Sequence, residues 1–202
     1  MEQAEKPEPS ADDSAEDFRL MEAVGRGDHQ AFARLVERHR NAVVGTVAKM
    51  LGNASEAEDL AQRVFLRVWT NAAKYKPDAK FTTYLFTITR HLVFNETRRK
   101  GRKREVSVEE RGEERHWEVA DRGEYEPDRE VLNDELRQAV DRAIAALPET
   151  QRLAVVLRRY ENMPYEDIGA TLGLSVSAVK SLLFRARTAL RESLAEYLDE
   201  GG

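Results

Sequence analysis

Apolar side chains return every three or four residues through most of this chain. That period leaves little room for anything but α-helix. Phe32, Leu35, Val36, Val43, Val47 and Leu51 form one such line. Leu60, Val64 and Val68 form a second, and Phe81, Leu85, Ile88 and Leu92 a third. Further on, Leu132, Leu136, Val140, Ile144 and Leu147 make a fourth, and Leu153, Val156, Leu157 and Tyr160 a fifth. Strand signals are nearly absent. The expected fold class is all-α, in two small helical domains.

Cap residues punctuate these lines. Asp28 is placed to cap the first helix and Gly52 to end it. Ser55-Glu56-Ala57-Glu58 has the form of a capping box, with Ser55 as the expected cap. A polar break around Pro77 and Asp78 precedes a long helix expected to start near Thr82 or Thr83 and run towards Arg99. Pro148 suits the first turn of a helix, because its missing N–H would have no partner there anyway. A short helix over Tyr165–Leu172 stops at Gly173, and Ser175 caps another running towards Tyr197. Two helices joined by a tight, glycine-containing turn make a helix-turn-helix. Ile168, Leu172, Leu174, Val179, Leu183 and Ala186 are its expected shared core; the alternative is a plain helical hairpin.

Charge decides how these blocks are joined. The 202 residues carry 32 Lys+Arg against 37 Asp+Glu, a net of −5, which by itself argues against nucleic acid. The distribution reverses that argument. Residues 1–17 hold net −6 and residues 105–135 net −9, so the remainder carries +10. The first stretch reads as a disordered acidic tail. Residues 105–130 read as an acidic flexible linker. The expected domains are therefore 18–104 and 131–202.

Both basic blocks carry nucleic-acid patterns. Between Ser175 and Arg191 there are four bases and no acid. The second helix of a helix-turn-helix enters the major groove. Ser177, Lys180, Ser181, Phe184 and Arg185 lie opposite its apolar stripe, and Arg187 is set for backbone contact. Lys180 and Arg185 have the length and donors for guanine edges or phosphates. Each base could equally be part of a solvated face, and Phe184 could simply pack. In the first block, Tyr84, Thr87, His91, Asn95 and Arg98 follow one another at spacings of three or four, and six of residues 98–104 are basic. Hydroxyl, imidazole and amide groups beside an aromatic suit an unstacked base, with cations holding its phosphates.

Taken together, the two blocks resemble an extracytoplasmic-function sigma factor of the sigma-70 family of bacterial RNA polymerase. Four stretches carry the likeness. Gly27-Asp28-His29-Gln30-Ala31-Phe32 resembles the opening of the region-two domain. Ala57 to Trp69 resembles the helix that docks on the polymerase clamp. Phe81-Thr82-Thr83-Tyr84-Leu85-Phe86 through Arg99 resembles the −10 reading helix. Leu147-Pro148-Glu149 onward, ending in Val179 to Arg187, resembles the region-four domain that reads the −35 element. The resemblance implies that Asp59, Gln62 and Phe65 contact core polymerase. It puts Lys74, Lys76 and Lys80 in a loop that captures a flipped −10 base, with Tyr84, His91, Asn95 and Arg98 along the −10 strand. It puts Ser177, Lys180, Ser181, Phe184, Arg185 and Arg187 at the −35 element. The expected partners are core polymerase, promoter DNA and an anti-sigma factor. The chain departs from the family pattern at Arg63, where an acid is common, and at His91, where Asn is common.

Other classes fare worse. No cysteine is present, which excludes disulfides, Cys-ligated zinc and a thiol nucleophile. The histidines show no metal-ligand spacing, so no metal or cofactor is expected. There is no phosphate-binding G-x-x-x-x-G-K-[ST] loop and no H-E-x-x-H pair, so an enzyme is not expected. An ordinary helix-turn-helix repressor would need a dimer element and would leave the first block unexplained. No apolar run approaches the roughly 18 residues of a membrane span, and a cytoplasmic protein is expected.

Overall fold

The computed structural model describes residues 11–76, 78–107, 127–195 and 197. Its helices are α1 (Ala11–Gly25), α2 (His29–Leu51), α3 (Ala54–Asn71), α4 (Phe81–Ser107), α5 (Pro127–Ala146), α6 (Glu149–Arg159), α7 (Tyr165–Leu172) and α8 (Val176–Ser193). A 3-10 turn covers Ala72–Lys74. Residues 1–10 of the expected tail and 108–126 of the expected linker lie outside the described residues.

The caps of α2 are those expected. The Asp28 carboxylate accepts from the N–H groups of Gln30 at 2.8 Å and Ala31 at 3.0 Å. These bonds, Ala31 foremost, hold its carboxyl below the ordinary aspartate range. Gly52 takes the left-handed conformation at φ 70° and its N–H donates to the Ala48 carbonyl. The cap of α3 is not Ser55. Asn53 sits in extended backbone and its side-chain oxygen accepts from Ser55 N–H at 3.0 Å and Glu56 N–H at 3.3 Å. Ser55 is therefore already inside the helix. Likewise α4 opens at Phe81, and Pro148 precedes the first turn of α6.

The largest correction is α1. The acidic stretch expected as a tail supplies a helix from Ala11 onward that packs on α2. Arg38 on α2 donates to Asp17 at 3.0 Å, Glu16 at 2.7 Å and Asp13 at 3.1 Å. His39 Nε2 lies 2.9 Å from the other Asp17 oxygen. Asp17 is only 3% exposed, so its carboxylate is held by two partners rather than by water. Leu20, Met21 and Val24 of the same helix enter the core.

That core draws on every helix of the first block. Met21, Leu35, Val43, Val47, Val64, Val68, Leu85 and Val93 are fully buried. In the second block Leu153, Leu157, Ile168, Val179 and Ala186 are buried. The helix-turn-helix core differs in detail from expectation. Leu182 is buried, Leu172 and Leu183 are half-buried, and Leu174 is exposed at the turn. The two blocks also pack on each other, α7 along α4 and α6 against α2.

Candidate nucleic-acid and docking interfaces

The first surface lies between α2 and α3. Phe32, Val36, Phe65, Leu66 and Trp69 line an apolar groove, with Gln62 at its edge. Trp69 stacks on His29 with ring centroids 4.7 Å apart and meets Phe32 edge-on at 5.1 Å. Arg40 donates to Glu58 at 2.8 Å on the rim. Asp59 and Gln62 are exposed. Phe65, the third residue expected at this contact, lines the groove but is only 6% exposed and packs into the core. The exposed apolar group is its neighbour Leu66, 60% exposed. The helical line of Leu60, Val64 and Val68 could have revealed this, because Leu66 falls off that line and so outside.

The second surface is the outer face of α4 and the loop before it. Lys74, Lys76 and Lys80 are exposed, as are His91, Asn95 and Arg98 along the helix. Tyr84 is half-buried in an aromatic cluster, 5.0 Å from Tyr75 and 6.3 Å from Phe81 between centroids. Burial pushes its phenol above the ordinary range. Thr87 is turned to its own helix, its hydroxyl donating to the Thr83 carbonyl at 2.7 Å. A charge network fixes the basic end of α4 on α3. Arg99 Nε donates to Glu96 at 3.1 Å, Arg63 approaches Glu96 at 3.9 Å, and Lys100 pairs with Glu56. Arg63 thus serves α4, a role its place in α3 did not reveal. These hydrogen bonds and cations hold the Glu96 carboxyl below its ordinary value, the Arg99 bond foremost.

His91 touches Arg90. Partial burial first, and the Arg90 charge second, lower its pKa below the ordinary 6.5. It is therefore a neutral imidazole at pH 7, able to donate at one nitrogen and accept at the other. Because folding lowers this pKa, the folded state loses relative stability as pH falls through 6.5 towards the folded value. A proton-detected titration is expected to place the His91 midpoint below 6.5, and Arg90→Gln to raise it. A midpoint unmoved by that substitution would remove the Arg90 contribution.

The third surface is on α8. The Ser175 hydroxyl accepts from Ala178 N–H at 3.2 Å, which starts the helix. Gly173 turns the chain at φ 70°. With Val179, Leu182 and Ala186 facing inward, Ser177, Lys180, Ser181, Phe184, Arg185 and Arg187 are all exposed on the outside. Phe184 is 70% exposed, so it is not a packing residue. Ser181 donates to the Ser177 carbonyl at 3.1 Å, which leaves its oxygen as an acceptor. The result is a basic face with no carboxylate from residue 175 to 191, organised around one projecting aromatic ring. No single described helix is long and apolar enough to cross a membrane.

The described residues thus form a helical block with an apolar groove and an exposed polar face on α4, and a helix-turn-helix whose second helix presents an open basic face. Residues 35–103 match the family description Sigma-70 region 2, and residues 137–190 match Sigma-70, region 4. The chain is 32% identical over 188 residues to the RNA polymerase sigma-H factor of Pseudomonas aeruginosa, covering 92% of this chain and 97% of that one. It is 30% identical over 181 residues to the ECF RNA polymerase sigma factor SigW of Bacillus subtilis, covering 88% and 96%. Its fold is similar to that of CnrH, solved with the cytosolic domain of CnrY, at a TM-score of 0.64, 24% identity and coverage of 93% and 99%. It is also similar to the sigma factor RpoE solved with the anti-sigma factor NepR from Bartonella quintana, at 0.65, 24%, 81% and 96%. The chain belongs to the sigma-70 family, in its extracytoplasmic-function group. It is an alternative sigma factor that directs RNA polymerase to promoters.

Proposed function

We propose a division of labour between the two blocks. Residues 18–104, extended by α1, seat the α2–α3 groove on core polymerase through Asp59, Gln62 and Leu66. Lys74, Lys76, Lys80, Tyr84, His91, Asn95 and Arg98 then hold the opened −10 strand. Residues 131–202 read the −35 duplex with Ser177, Lys180, Ser181, Phe184, Arg185 and Arg187. Residues 105–130 tether the two, so that polymerase holding one site raises the effective concentration of the other. The acidic segments compete with phosphates for the basic faces in the free protein. An anti-sigma factor that covers these faces regulates the protein, the chain acts in the cytoplasm, and it catalyses no reaction of its own.

The observation that carries this reading is the outer face of α8, where residues 175–191 carry four exposed cations and Phe184 but no carboxylate. Run-off transcription with purified core on a fragmented genomic library tests it. Start sites sharing two spaced elements are the expected product; no start above core alone would reject it. Arg185→Ala is expected to weaken −35-dependent initiation by about 1–3 kcal/mol, the worth of a bidentate base contact. Unchanged transcription from a promoter with an intact −35 element would remove that role. A repressor would instead leave a palindromic footprint without polymerase, and none is expected here.

A further inference from the structure

We propose that Glu96 is a positioning residue that sorts the cations at the end of α4, withdrawing Arg99 from the −10 strand and leaving Arg98 and Arg102 to hold its phosphates. The inference rests on the reading that the outer face of α4 holds that strand. His91, Asn95, Arg98 and Arg102 follow one another at spacings of four, three and four, so they share one face of the helix. All four are exposed. Neither Arg98 nor Arg102 is in an ion pair among the described residues. Glu96 leaves the helix on another side. It lies one turn past Leu92 and Val93, which are buried, and so it continues the face that packs on α3. Its side chain is only 11% exposed.

Three cations gather on that side. Arg99 Nε donates to both Glu96 oxygens at 3.1 Å, and its Nη2 reaches one of them as well. Arg63 approaches the same carboxylate from α3 at 3.9 Å, and Lys100 pairs with Glu56 in the first turn of α3. Arg63 keeps the carboxylate on the α3 side, and the carboxylate keeps Arg99 there too. An acid at position 63 would push Glu96 away instead. Without Glu96, Arg99 could swing to the strand face, because it follows Arg98 directly and is more than half exposed. Exposed ion pairs add little stability. What this one fixes is where the charge lies. Each cation on a phosphate adds affinity by releasing counterions, but it carries no sequence information. Holding Arg99 back limits that term and leaves the base-edge groups of His91 and Asn95 to decide which strand is kept.

Counterion release counts the cations that the strand engages, and so it tests the sorting directly. Holoenzyme assembled from the full chain and purified core is titrated with fork DNA that carries a duplex −35 element and a single −10 strand, taken from a start site found by run-off. For a single strand, the slope of log K against log salt changes by about 0.7 for each phosphate contact. Arg99→Gln is expected to leave the parent slope unchanged. Glu96→Gln is expected to steepen it by about 0.7, which is about two- to threefold more affinity lost between about 50 and about 200 mM salt. Glu96→Gln combined with Arg99→Gln is expected to return to the parent slope. The mere loss of a negative charge would keep that double variant steep, and a misfolded helix would not be repaired by a second substitution. A shallower slope for Arg99→Gln, a parent slope for Glu96→Gln, or a steep double variant overturns the proposal. Arg98→Gln reads the underlying assignment separately, and its slope is expected to be shallower by about 0.7. An unchanged slope there takes the strand off α4 and the sorting with it. An Arg98 effect beside a Glu96→Gln slope equal to the parent overturns the sorting alone.

Discussion

Phe65→Ala is expected to unfold the first block rather than to undock it. The ring is 6% exposed and sits in the cluster that holds Leu60, Ala61, Val64 and Val68 of its own helix. Removing a buried phenyl ring forfeits its transfer free energy and leaves a cavity, a loss of about 3–5 kcal/mol. That approaches the whole stability of many small domains. Urea unfolding followed by circular dichroism is expected to show a midpoint shifted strongly downward. Leu66→Ala makes the opposite prediction. Leu66 is 60% exposed, so its truncation is expected to leave the unfolding midpoint within about 0.5 kcal/mol of the parent. Co-elution with core polymerase is where it fails, because the groove loses its projecting apolar group. Phe65→Ala unfolding at the parent midpoint would mean the ring is not part of the core. Leu66→Ala co-eluting normally would remove the groove from the docking surface.

The adjacent pair shows what a sequence reveals and what it hides. Periodicity identifies which residues share a face, and it placed α2, α3, α6, α7 and α8 closely. Caps read well where one candidate stood alone, as at Asp28, Gly52 and Ser175. They read badly where two stood side by side: Asn53 and Ser55 both cap well, and only the extended backbone at Asn53 decides between them. α1 was hidden for a different reason. Its acids look like a solvated tail until Arg38 and His39, more than twenty residues away in sequence, are brought against Asp17. Arg63 is the same case, since its partner Glu96 lies on another helix. Partners of that separation leave no local periodic trace. The seam between the blocks was illegible as well. Lys80 and Asp167 are 87 residues apart, and each looks like an ordinary surface charge on its own. The exposed face of α8 was legible because everything that defines it lies within one helix.

Gly169→Ala is expected to disable the second block while sparing the first. A Cβ built on Gly169 would lie 2.7 Å from the Leu174 carbonyl oxygen, closer than real side chains come to backbone, and 3.7 Å from a Val179 methyl. The obstacle is main chain in the turn itself. The Leu174 N–H donates to the Gly169 carbonyl at 2.9 Å, and the Gly173 N–H donates to the same oxygen. The methyl group therefore pushes apart two residues that the hydrogen bond pulls together. Relief requires α7 and α8 to separate at the turn, at the cost of about 1–3 kcal/mol typical of overpacking. The same displacement tilts the recognition helix, whose bases must reach groove edges within hydrogen-bond distance. Transcription from promoters that depend on a −35 element is thus expected to fall further than stability alone predicts. Core binding through the α2–α3 groove is expected to persist. Gly101→Ala is the control, because nothing lies within 4 Å of its added Cβ and alanine favours helix by about 1 kcal/mol. If Gly169→Ala matched Gly101→Ala in unfolding and in −35-dependent initiation, the close approach at the turn would have no part in setting the recognition helix.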